Sequence, residues 1–123
     1  MSEKDVVATV NRYISSLNHL NEEEISKALH FPHFRILPNG EFIHWDTPRT
    51  FFSWFKDRVK GDQWDHTKID KIDAQSVSAG KYHAIVHFSR YRSDDSLIGK
   101  YFSLYIITHD NDMWGIKVGS GTG

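Results

Sequence analysis

The most constraining stretch of this chain is His30 to Gly61, HFPHFRILPNGEFIHWDTPRTFFSWFKDRVKG, because it holds a helix stop, a hairpin signal and a helix with both ends marked. Pro32 lacks an N–H and its ring clashes with a preceding helical turn, so the chain becomes extended around it. Asn39-Gly40 suits the left-handed central positions of a type I′ turn and lies between two runs of strand-forming residues. A two-residue turn there opposes Leu37 to Phe42, Ile36 to Ile43, Arg35 to His44, Phe34 to Trp45 and His33 to Asp46. That register predicts a core face of Phe34, Ile36, Ile43 and Trp45, and a second face of His33, Arg35, Leu37, Phe42, His44 and Asp46. Thr47-Pro48 then reads as N-cap and first helical position. Phe51, Phe52, Trp54, Phe55 and Val59 follow as an apolar stripe at helical spacing, and Gly61 closes it as the C′ residue.

The flanking segments extend this pattern in both directions. Val6, Val7, Val10, Tyr13, Ile14, Leu17 and Leu20 fall at helical spacing, with Glu3 and Asp5 in the first turn, where they favour the helix dipole. Asn21, with Glu24 three residues on, starts a short second helix that turns Ile25, Ala28 and Leu29 inward and ends at His30 or Phe31. After the third helix, Ile69 and Ile72 lie on opposite strand parities, which predicts a bulge between them. Two long strands follow, KYHAIVHFSRYR and GKYFSLYIITH, joined by the polar loop 93–98. Setting Phe88 against Leu104 gives one apolar face of Ala84, Val86, Phe88, Phe102, Leu104 and Ile106. The opposite face then carries His83, Ile85, His87, Ser89, Tyr91, Tyr101, Ser103, Tyr105, Ile107 and His109. A turn at Asp110-Asn111-Asp112 leads into a last strand with Trp114, Ile116 and Val118 on one parity. Helices segregated from a run of strands predict one α+β domain over residues 1–123. Its three helices, all from the N-terminal half, would pack on a curved antiparallel sheet made of an early hairpin and a four-strand meander.

Composition narrows the function classes. The chain has no cysteine, which excludes disulfides, thiolate metal sites and a cysteine nucleophile. With neither a signal-like start nor an apolar run of membrane-spanning length, a soluble cytoplasmic protein is expected. Lys and Arg are scattered and the net charge is −1, so neither a nucleic-acid nor a membrane partner is expected. Protonating all eight histidines would carry the charge from −1 to +7, so association should respond to pH near ~6.5. His83 and His87, four apart on a strand, are separated by ~13 Å, too far for one ion. Pro32 also breaks the helix that would place His30 beside His33, and no metal or other cofactor is expected.

The order of elements resembles the SnoaL-like and nuclear transport factor two-like superfamily over essentially the whole chain. The features that carry the resemblance are Tyr13 in the first helix, the Asn39-Gly40 hairpin before a helix capped by Thr47-Pro48, and a last strand opened by Asp112-Met113-Trp114. The resemblance implies a cone that encloses an apolar pocket between the concave sheet face and the helices, and dimerisation through the outer sheet face. It implies a range of functions, from ketosteroid isomerases, scytalone dehydratase, polyketide cyclases and epoxide hydrolases to non-catalytic binding domains. Tyr13 matches the first-helix tyrosine that donates to an oxyanion in the isomerases. Their general-base aspartate has no counterpart here: no acid lies between Glu24 and Gly40, and none in the strand 81–92. A histidine-based arrangement like that of the dehydratase is compatible with the pattern.

Candidate chemistry concentrates in residues 30–46. A carboxylate opposite an imidazole fixes its tautomer and raises its basicity, so His33 with Asp46 reads as a general base. Arg35 and His44 form the next rung, where an arginine can hold a carboxylate or enolate oxygen. The expected catalytic residues are therefore His33, Asp46 and Tyr13, and the expected substrate contacts Arg35, His44, Trp45, Phe55 and Phe31. The same face also reads as the solvated side of a hairpin with satisfied polar pairs. Two functions fit: a cofactor-independent isomerase, dehydratase or cyclase acting on a hydrophobic or polyketide-like small molecule, or a non-catalytic ligand-binding or dimerisation module. Ile85, His87, Tyr91, Tyr101, Tyr105 and Ile107, clustered on one sheet face, predict a homodimer contact.

Overall fold

Helix α1 (Ser2–Asn18) buries the stripe its spacing prescribes, with Val6, Val10, Tyr13, Ile14 and Leu17 all enclosed. The computed structural model describes residues 2–122. Helix α2 (Glu22–Ile25) is capped as expected, the Asn21 side chain accepting from the Glu24 amide at 3.0 Å, but it is a single turn. Leu29, His30 and Phe31 already belong to strand β1 (Leu29–Ile36). The last strand captures the chain there, the Ile116 amide donating to the Ala28 carbonyl at 2.9 Å.

Strand β2 (Phe42–Trp45) completes the expected hairpin through a different turn. The Gly40 amide donates to the Leu37 carbonyl and the Leu37 amide to the Glu41 carbonyl, both at 2.8 Å. Gly40 is left-handed at φ +90°. The loop is therefore Pro38-Asn39-Gly40, a type I turn that uses the preset φ of proline, closed by a glycine bulge. The extra loop residue slips the register by one: His33 opposes Trp45, Phe34 opposes His44, Arg35 opposes Ile43, and Ile36 opposes Phe42. Because side chains alternate, such a slip exchanges the faces of β1. His33 and Arg35 turn inward, with Trp45 on the neighbouring strand, whereas Ile36 lies exposed. The expected core face through Phe34 and Ile36 and the expected His33–Asp46 pairing are both overturned by that slip.

Helix α3 (Pro48–Lys60) starts as its sequence demands, Thr47 accepting from the Thr50 amide at 3.2 Å with Pro48 in the first turn. It buries Phe51, Phe52, Phe55 and Val59. Gly61 stays right-handed at φ −68°, and the left-handed position after the helix falls to Gln63 at φ 59°.

Strands β3 (His66–Ser78), β4 (Lys81–Tyr91), β5 (Leu97–Asp110) and β6 (Met113–Gly121) complete a six-stranded sheet in the order β2-β1-β6-β5-β4-β3. The expected α+β architecture is present, with three helices against a curved, open sheet. One junction departs from the antiparallel expectation, since β1 pairs with β6 in parallel. The bulge expected between Ile69 and Ile72 is present, with Ile69 opposite Phe88 and Lys71 opposite His87. On β4 and β5 the short loop closed by Arg92 and Ser96 sets Tyr91 against Leu97, so Phe88 meets Tyr101 rather than Leu104. That shift of three, an odd number, exchanges the faces of β5. Tyr105 and Ile107, expected on the outer face, are buried, and Phe102, expected inside, is 48% exposed. Tyr101 is half-buried and stacks on Phe88 at 5.6 Å, while Tyr91 stacks on His66 at 5.2 Å. A bulge in β6 between the partners of Ile106 and Ile107 also splits Ile116 from the parity of Val118. Among the described residues no helix is long and apolar enough to cross a membrane.

Candidate functional site: a buried arginine network and its cavity

The one-residue slip sends Arg35 into the space between α1, α3 and the sheet, where it is only 8% exposed. Its Nη2 donates to the Tyr13 hydroxyl at 2.5 Å and its Nε donates to His33 Nε2 at 3.1 Å. His33 Nδ1 lies 3.1 Å from the Ile116 carbonyl. A carbonyl can only accept, so the proton sits on Nδ1 and the lone pair on Nε2 faces Arg35. The imidazole is fully buried, stacked on Trp45 at 5.9 Å and set edge-on to Phe51 at 5.7 Å. Burial first, and the Arg35 charge second, hold its pKa well below 6.5. His33 is therefore neutral at physiological pH, the reverse of the raised basicity that an Asp46 partner would confer.

Rings surround the Arg35 guanidinium: Phe51 at 5.5 Å, Tyr13 at 5.7 Å, Tyr105 at 5.8 Å and Trp54 at 6.0 Å. Their faces partly offset the desolvation of the cation. Gly119 supplies the passage for this side chain, since a Cβ there would meet Arg35 Nε at 2.8 Å.

Beside the network lies a cavity lined by Tyr13, Arg35, Arg90, Ser103 and Tyr105, with Ile14, Leu17, Trp54, Phe55, Thr67 and Phe88 completing its wall. Its volume is about 10 Å³, room for one water molecule. Of these lining residues only Trp54 and Arg90 are more than slightly exposed. Arg90 stacks over Tyr101 at 4.8 Å and Phe88 at 5.5 Å, and its Nε is enclosed with no hydrogen-bond partner. Burial lowers the Arg90 pKa from the usual arginine value and raises that of the Tyr105 phenol. At neutral pH the guanidinium stays charged and the phenol stays protonated. The lining thus offers two guanidiniums, two phenols and the hydroxyls of Ser103 and Thr67, and no carboxylate. Such a site stabilises negative charge and carries no group poised to take a proton.

Of the residues singled out from sequence, Tyr13, Arg35 and Phe55 line this cavity. His33 adjoins it through Arg35, and Trp45 lies behind His33. Phe31 is half-buried at the edge of the cluster, 6.5 Å from the His33 ring. Asp46 and His44 are exposed on the outside, 3.7 Å from each other. The structure adds Trp54, Arg90, Ser103 and Tyr105. Arg90 continues the parity of Val86 and Phe88, and a cation at the end of an apolar row is the sequence signal for it. Among the described residues no cluster of three or more His, Asp or Glu is placed to hold a metal ion.

A cone of helices on a curved sheet with a site in its interior defines an NTF2-like protein. The chain belongs to the NTF2-like protein family DUF6841, whose family model matches residues 2–121. No curated protein matches the sequence. Among solved structures it is similar to an NTF2-like protein from Shewanella oneidensis MR-1, at 13% identity and TM-score 0.77 with all of both chains covered. It is also similar to an NTF2-like protein from Cytophaga hutchinsonii ATCC 33406, at 12% identity and TM-score 0.75, covering 100% of this chain and 98% of that one. A protein with a cystatin-like fold from Caulobacter vibrioides matches at 13% identity and TM-score 0.72, over 98% of this chain and 87% of that one. At such identities the likeness is one of fold.

Proposed function

We propose that this protein binds a small molecule in the interior of the cone, and that it does so without a His/Asp base. The observation that supports this reading is the convergence of Tyr13, Arg35 and Phe55 with Trp54, Arg90 and Tyr105 on one cavity. Isomerase or dehydratase chemistry needs a group that takes a proton from the substrate. Here Asp46 lies outside and the His33 Nε2 lone pair accepts from Arg35. What remains around the cavity is a set of donors in an aromatic shell, which orients and holds a ligand. Because the cavity takes only one water, a larger ligand enters by displacing a wall residue, and Trp54 is the half-buried aromatic among them.

Native mass spectrometry of the purified protein tests this reading. A small molecule near 1:1 is expected, either carried through purification or taken up from a metabolite extract. Its presence should raise the melting temperature, because ligand at 100 times Kd stabilises the folded state by about 2.7 kcal/mol. A protein with no adduct and an unchanged melting temperature across all extract fractions would overturn it.

A further inference from the structure

We propose that the ligand of this cavity is a small organic carboxylate, received by Arg90 and Tyr13. The proposal rests on the small-molecule reading above and adds the charge of the ligand.

Arginine cannot shed its proton within a protein, so a buried guanidinium is a fixed charge that needs a partner. Arg35 meets part of that need internally, through Tyr13, His33 and its surrounding rings. Arg90 is half-buried, and its Nε is enclosed without an acceptor while the rings of Phe88 and Tyr101 lie against its guanidinium. A buried donor left unpaired is costly, more so when charged, and an incoming acceptor recovers that cost. Neither Arg35 nor Arg90 forms an ion pair among the described residues, and no carboxylate lines the cavity.

Tyr13 supplies the second donor. Its oxygen accepts from Arg35 Nη2, so its own proton is left to donate, and the adjacent cation makes that O–H a stronger donor. His33, being neutral, adds no charge. Ile14, Leu17, Phe55 and Phe88 supply the apolar part of the wall. A guanidinium fork matches a planar carboxylate, and such walls match an apolar body rather than a strongly hydrated inorganic anion. Of the lining residues only Arg90 and Trp54 are more than slightly exposed, so Arg90 is the guanidinium open to an incoming carboxylate.

The test is calorimetric titration at neutral pH with benzoate and cyclohexanecarboxylate, each set against its neutral amide. At least one acid should bind 10-fold or more tightly than its amide. Arg90→Met should weaken the acid by roughly 10- to 100-fold, the usual effect of removing a charged hydrogen-bond partner. Arg90→Lys should recover part of the loss, because it restores the charge without the fork. Circular dichroism checks the fold, and Tyr13→Phe, expected to weaken the acid several-fold, serves if Arg90→Met does not fold. Amide binding as tight as acid binding would overturn the proposal and leave the small-molecule reading standing. Acid binding indifferent to both variants would place the ligand elsewhere and overturn it too. If no probe binds, the carboxylate assignment falls, and the mass-spectrometric result decides the pocket reading separately.

Discussion

At the scale of single residues, the buried imidazole of His33 sets the pH response. Burial and the neighbouring guanidinium depress its pKa in the folded state, whereas in the unfolded chain it titrates near the ordinary value of 6.5. Between those two values the unfolded state binds a proton that the folded state does not. Stability is therefore fully present above ~6.5 and is lost as pH falls below it, by at most ~1.4 kcal/mol per pH unit, until the folded pKa is reached. Urea denaturation at pH 7, 6 and 5 should show this loss. His33→Gln should be less stable at pH 7, for want of the stacking on Trp45, but its slope below pH 6.5 should be shallower by up to that amount. An unchanged slope would mean that His33 is protonated in the fold. Asp46 as a partner would have given the opposite sign, with stability lost as pH rises.

At the scale of elements, the hairpin loop decides which face of β1 is buried. Gly40 occupies a left-handed position, and an added Cβ would meet nothing within 4 Å. Gly40→Ala should therefore cost about 1–2 kcal/mol purely through backbone strain. In a two-residue type I′ turn Asn39 would be left-handed as well. Here only its side chain matters, accepting from the Glu41 amide at 2.9 Å, so Asn39→Ala should cost less than Gly40→Ala. Chemical denaturation of the two variants checks the order, and equal losses would point back to the two-residue turn. Asn39-Gly40 signals a hairpin, but Pro38, the residue that favours the type I path, carries the information about loop length.

At the scale of the whole molecule, the outer face of the sheet exposes large apolar side chains. One row crosses it as Phe42, Ile36, Ser120, Leu104 and Ile85, and the next as His44, Phe34, Val118, Ile106 and His83. Phe42 is 62% exposed, Phe102 48%, Ile85 42% and Ile36 41%, and the helices lie on the opposite side. We propose that a second copy covers this face about a twofold axis, because a self-complementary apolar patch with a polar fringe suits an isologous contact. The residues of this face differ from the expected set: Ile85 and His87 remain, Tyr105 and Ile107 belong to the core, Tyr101 stacks on Phe88 and Tyr91 on His66, and Phe102, Leu104 and Ile106 take their place. Sedimentation velocity at micromolar concentration should show a dimer. Leu104→Glu should give a folded monomer, and Tyr105→Glu should compromise folding itself by placing a charge in the interior. A monomeric wild type would dispose of the contact.

Local chemistry alone determined much of this protein. The Thr47-Pro48 cap, the stripes of α1 and α3, the strand count and the bulge near Asp70 depend on propensity and parity within a few residues. As site residues, Tyr13 came instead from the family resemblance, and Arg35 from its rung beside His33 on a hairpin register that the structure shifts by one. The registers were decided by loop closure together with tertiary packing. A shift of one residue on β1 or three on β5 leaves every local propensity nearly unchanged, yet it exchanges inside for outside. The loops closed at Leu37–Glu41 and Arg92–Ser96, together with the side that the helices cover, choose among such registers. That choice separated His33 from Asp46, brought Tyr105 inward and faced Arg35 into the cone. Strand alternation has a period of two, so the smallest error in register inverts the meaning of every residue on the strand.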